Sequence, residues 1–197
     1  MKRQTNKLKN PRSIFPLITI LGMTLLILCS SFYNKEWYFD WSGIRPQIKD
    51  SIEVAKYYGI DAKYVGYANR KSNQYDRQRW LMKNATRQEL EKLTTYPDET
   101  IKAIAYKGLL RDPSITRNDK FSIVLKVFKN HPEYIYYTRG CVAERMELSQ
   151  YLMENVLLEN FIFDPDNRKF HKGFNFTAAQ EQHLLNKYYT LADKDVN

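Results

Sequence analysis

Glycine and proline are scarce in this chain, seven of each in 197 residues, too few for the frequent turns of a many-stranded β-sandwich. Cysteine is scarcer. Cys29 lies in an apolar run and Cys141 stands alone beyond it, so no intramolecular disulfide braces the C-terminal part. The three histidines, His131, His171 and His183, show no metal-binding spacing, with neither an HExxH nor a CxxC pattern. A glycine-rich phosphate cradle and a Gly-x-Ser-x-Gly nucleophile turn are also missing. Asp164-Pro165-Asp166-Asn167 lacks the glycine and terminal glutamate of a calcium loop and reads as a turn. No cofactor, metal or catalytic constellation is expected, and the chain reads as a non-enzyme.

Acidic residues are absent from the first twelve positions, where Lys2, Arg3, Lys7, Lys9 and Arg12 supply five of the 31 basic side chains. The remaining 26 basic residues face 22 acidic ones, so the net +9 is concentrated at one end. Residues 14–33 then carry no charge at all, and twenty helical residues rise about 30 Å, the thickness of a bilayer's hydrocarbon. The basic flank predicts a single-pass signal anchor with its N-terminus in the cytoplasm and the main domain outside it. Small residues near Ser31 permit signal cleavage instead, and Leu26-Ile27-Leu28-Cys29 faintly resembles a lipoprotein box at Cys29. Trp37, Tyr38 and Trp41 suit the membrane interface. The expected organisation is a basic cytoplasmic tail (1–12), a transmembrane helix (13–34), an aromatic linker (35–43), an α-helical extracytoplasmic domain (44–192) and a frayed tail (193–197).

What remains is patterned as helix. Ile44–Tyr58 has Pro46 in its first turn and Gly59 as a stop. Thr86-Arg-Gln-Glu89 is a capping box. Ile101, Ile104, Ala105, Gly108 and Leu109 fall on one helical stripe, with Ala105 and Gly108 small enough to admit a close neighbour. Phe121, Val124, Leu125 and Phe128 repeat the spacing, and Tyr134–Glu147 and Leu148–Leu158 are read as further helices. Residues 161–176 read as a small hairpin or an ordered loop, and Thr177-Ala-Ala-Gln180 opens a last helix. The fold class expected is all-α.

The layout Pro97-Asp98-x-x-Ile101-Lys102-x-x-Ala105, with paired leucines on both sides, resembles a HEAT-type helical repeat, and a poorer copy reaches about residue 145. That resemblance implies a stacking scaffold and brings no catalytic residues. The function expected is a membrane-anchored adaptor at the cell envelope, touching lipid through residues 14–33 and a protein partner through stacked amphipathic helices. Arg70, Lys71, Arg77, Arg79 and Trp80 are the candidate partner-binding residues. Basic and aromatic residues together also suit nucleic acid or anionic lipid across Lys63–Lys92. Nucleic acid is excluded by the expected compartment, and a solvated helix face is preferred to a lipid surface. The rival from another class is a tethered hydrolase using Cys141 or Glu144 with a histidine. Cys141 reads more simply as a small buried residue on a helix, and Glu144 and Glu147 as solvated charge.

Overall fold

The computed structural model describes residues 15–32, 39–129, 132–157, 161–164, 169–172 and 176–192. The expected basic tail (1–12), Trp37, Tyr38, His131 and the frayed tail (193–197) lie outside the described residues. The chain divides into two units, Met1–Phe39 and Asp40–Asn197.

The first unit contributes helix α1 (Phe15–Phe32), whose described side chains are exposed, Ile18, Leu21 and Leu26 among them. Its 18 residues rise about 27 Å, short of the roughly 30 Å of bilayer hydrocarbon. Among the described residues, no helix is long and apolar enough to cross a membrane. That finding overturns the single-pass transmembrane anchor and the membrane localisation built on it. The uncharged run does form a helix, but the helix is shorter than the run.

The second unit is not all-α, and its departure from that class is a sheet. Its elements are α2 (Pro46–Ala55), β1 (Ile60–Val65), β2 (Arg70–Lys71), α3 (Asn73–Asn84), α4 (Arg87–Leu93), α5 (Glu99–Arg111), α6 (Arg117–Lys129), β3 (Tyr134–Gly140), β4 (Val142–Glu147) and α7 (Leu148–Leu152). A π-helical turn (Met153–Leu157), the hairpin β5 (Phe161–Asp164) and β6 (Lys169–Lys172), and α8 (Ala178–Ala192) follow. Four strands form one mixed sheet in the order β2-β1-β3-β4, with β1 parallel to β3 and the other pairs antiparallel.

The helix starts follow from their caps. Ser72 accepts a hydrogen bond from Tyr75 N (3.1 Å) and Asp98 one from Ile101 N (3.1 Å), each satisfying an orphan donor of the first turn. Thr86 and Glu89 exchange bonds as a capping box, and Thr177 with Gln180 does the same at α8. Helix α5 is the hub, buried along Ile101, Ala103–Tyr106 and Gly108–Leu110 and touching α2, α3, α4, α6, α7, β1 and β3. A methyl group on Gly108 would sit 3.1 Å from the Leu90 side chain, so the missing side chain sets the α4–α5 spacing.

The helix expected over Tyr134–Glu147 is a β-hairpin instead. Tyr-Ile-Tyr-Tyr-Thr is rich in aromatic and β-branched residues that favour strands, and its burial alternates, with Ile135 and Tyr137 inside and Tyr134 and Tyr136 outside. Gly140 has φ +56° and Cys141 does not share the positive φ, the pattern of a type II′ turn with glycine leading. This hairpin occupies the end of the HEAT-like stretch, beyond α6, which packs on α5 as α4 does.

Candidate docking surface

The second unit begins at a clamp. The Glu89 carboxylate, 2 % exposed, accepts bonds from Arg45 N (2.9 Å), Nε (3.0 Å) and Nη2 (2.9 Å) and from Thr86 N (2.7 Å). The Arg45 guanidinium leads the causes that lower its pKa to about 2. Nearby, Lys92 Nζ lies 2.7 Å from Asp40 and holds that carboxyl well below its ordinary range, with help from Ser42. Trp41 stands edge-on to Tyr96 (5.5 Å) under the Lys49 ammonium (5.0 Å). Trp41, one of the aromatics expected at a membrane interface, thus packs against Tyr96 in the α4–α5 connection. These contacts fasten residues 40–45 to α2 and α4.

The expected binding residues are not gathered into one patch. Arg70 and Lys71 lie on β2, and Lys71 pairs with Asp76 (2.7 Å). Arg77 donates to Gln74 Oε1 (2.7 Å) and covers the Tyr58 ring (5.7 Å), whereas Arg79 covers Tyr75 (5.9 Å). Two residues apart on a helix, Arg77 and Arg79 point to nearly opposite sides. Trp80 sits at the surface, 42 % exposed.

Chemistry is no better assembled. Cys141 is exposed in the hairpin turn, not buried on a helix. Glu144 is exposed on β4 opposite Tyr137. His183, the one histidine whose side chain is described, packs edge-on to Phe121 (5.8 Å). Among the described residues no three His, Cys, Asp or Glu side chains are placed to hold a metal.

One surface does gather side chains of a type that binds, on the outer face of the sheet. The helices pack against the inner face through Ile60, Ile135, Tyr137 and Met146. The outer face carries Tyr134, Tyr136 and Arg145, with Tyr136 65 % exposed. Arg145 stands directly opposite Tyr136 in the ladder and places its guanidinium 4.3 Å from the Tyr134 ring centroid. That stacking contributes about 0.5–1 kcal/mol at an exposed site and holds both side chains in one orientation.

Gly59 sits against the backbone of β3. A Cβ there would fall 2.3 Å from the Tyr136 carbonyl oxygen, so only glycine lets the chain press onto β3 at that point. Exposed Tyr58, stacked with Arg77, precedes it. The helix expected over Tyr134–Glu147 hides this face from sequence reading. The signal was present in the alternation Tyr134/Tyr136 against Ile135/Tyr137 and in the Gly140-Cys141 turn. Compared with protein-family models, curated proteins and solved structures, the chain finds no match in any of the three.

Proposed function

We propose that this chain is a non-enzymatic protein-binding module that docks its partner on the outer face of the mixed sheet. The observation that carries the reading is the exposed Tyr134–Tyr136–Arg145 cluster, pre-ordered by stacking. Tyrosine and arginine dominate binding energy at protein interfaces, because each presents a large contact area with a polar handle. The partner surface differs from the stacked helices expected earlier, since the apolar stripes of α5 and α6 are occupied within the core. Nucleic acid is not favoured, on the ground that Lys71 is paired with Asp76 and that Arg77 and Arg79 point to different sides of α3.

The test compares crosslinked complexes of the full chain. Tyr136→Ala combined with Arg145→Ala is expected to remove the partner adduct while Cys141→Ala keeps it. A hydrolase using the thiol gives the reverse, with Cys141→Ala abolishing function and the double variant retaining it.

A further inference from the structure

The sheet's two edges are built differently. Edge strand β2 is two residues long and carries Arg70 and Lys71, a short charged edge of the kind that resists pairing with another chain. Edge strand β4 runs six residues in unbroken register with β3 and holds neither proline nor lysine. Its residues 142–145 are exposed, and among the described residues no strand lies beyond it. That open stretch ends at Arg145, since Met146 is buried and Glu147 is the N-cap of α7, its carboxylate bound by Ser149 Oγ (3.0 Å).

Leu148 N donates to Glu133 O (2.7 Å), which makes these two a hydrogen-bonded pair in the register of Tyr134 with Glu147. Such pairs alternate along an antiparallel ladder, so Val142 and Glu144 turn their N–H and C=O toward β3, while Ala143 and Arg145 turn theirs outward. An antiparallel strand added here exchanges four hydrogen bonds, two with Ala143 and two with Arg145. Residues directly opposite one another share a face. Ala143 and Arg145 belong to the outer face, Val142 and Glu144 to the other.

We propose that the open stretch of β4 takes up an extended segment of another protein as a fifth, antiparallel strand, and that it selects a segment reading acidic, basic, any, apolar. The acidic residue falls opposite Arg145, the basic one opposite Glu144 and the apolar one opposite Val142, itself 62 % exposed. Opposite charges facing each other across a ladder favour pairing and like charges disfavour it, so the order Glu144-Arg145 rejects the charge-reversed segment. Backbone bonds give such an edge its affinity, and the alternating side chains give it its specificity. The inference rests on the reading of the chain as a protein-binding module and names the conformation and charge order of the segment it binds.

The experiment titrates the full chain in detergent with two synthetic peptides, Thr-Thr-Glu-Lys-Thr-Val-Thr and its charge-swapped form Thr-Thr-Lys-Glu-Thr-Val-Thr, and follows backbone amides by NMR. The first peptide is expected to shift the Ala143 and Arg145 amides saturably and to slow their hydrogen exchange, with the swapped peptide roughly tenfold weaker. Glu144→Arg combined with Arg145→Glu is expected to invert that preference. Ala143→Pro removes one outward donor and leaves the bonds to β3, so it is expected to abolish binding with the fold kept, as circular dichroism checks. Equal binding of both peptides, the absence of a saturable shift up to millimolar peptide, or an Ala143→Pro variant that binds like wild type overturns the proposal. A silent titration beside a partner adduct that still depends on Tyr136 overturns the edge alone; silence together with loss of that dependence overturns the docking module as well.

Discussion

Helix α5 and strand β4 are the opposite poles of the second unit. The helix is buried on almost every side and its side chains hold the fold; the strand is exposed at four of its six positions and its side chains are available to something else. Burial costs a side chain its freedom to recognise a partner, and exposure costs it its share of the packing energy. The contrast teaches that the residues most conspicuous in the sequence, the Leu90–Leu110 stretch, are structural, while the surface suited to binding lies on the hairpin.

The sharpest way to break that comparison is to truncate one residue at each pole. Leu110→Ala, at a fully buried position, is expected to cost about 2–5 kcal/mol in urea unfolding. Tyr136→Ala is expected to stay within about 0.5 kcal/mol of wild type, as exposed positions generally do. Equal losses at the two sites would erase the distinction. Glu89→Ala removes the carboxylate that closes the N-terminal clamp and is expected to cost about 3 kcal/mol, because it takes away a capping partner and leaves Arg45 without its counter-charge. Stability measured across a set of Arg45 variants should fall in parallel.

Acid sharpens the same point. The folded pKa of Glu89 is about 2, below its ordinary value near 4.3 in an unfolded chain. A depressed carboxyl pKa stabilises the fold fully above the unfolded value, and that contribution is lost as pH falls toward 2. Urea midpoints recorded between neutral pH and pH 2 should drop through this window, and Glu89→Gln should flatten the drop. Gly59→Ala is expected to destabilise by about 1–3 kcal/mol, because its methyl group meets Tyr136 backbone that cannot rotate away. Gly108→Ala meets only side-chain atoms, the flexible end of Leu90 and Met82 Cγ, and is expected to change stability by about 1 kcal/mol or less. Thermal melts of the two variants side by side measure the difference.

Much of the helical half was legible because its signals are local. Thr86 and Glu89 are three residues apart and cap one turn, and Ile101 through Leu109 mark one stripe whatever lies opposite. The sheet was less legible for a physical reason. β1 and β3 pair in parallel across the whole run of α3–α6, and no pattern within either strand announces a partner so far away. β3 and β4 are a local hairpin, yet its strand signal, the alternation in Tyr134–Tyr137, spans only four residues. The candidate surface shared that fate. Nothing in the sequence singles out Arg145; the ladder sets it opposite Tyr136 and its guanidinium beside Tyr134. The apolar run near the start was legible as a helix, while its reach across a bilayer was overestimated.

The central claim, that the outer sheet face binds and the helices support it, is tested most directly by photocrosslinking from single positions in the full chain. A photoreactive residue replacing Tyr136 is compared with one replacing Ser122, an exposed position on α6. The expected result is a discrete protein adduct from position 136 and none from 122. An adduct from 122 with none from 136 would place recognition on the helices and contradict the account.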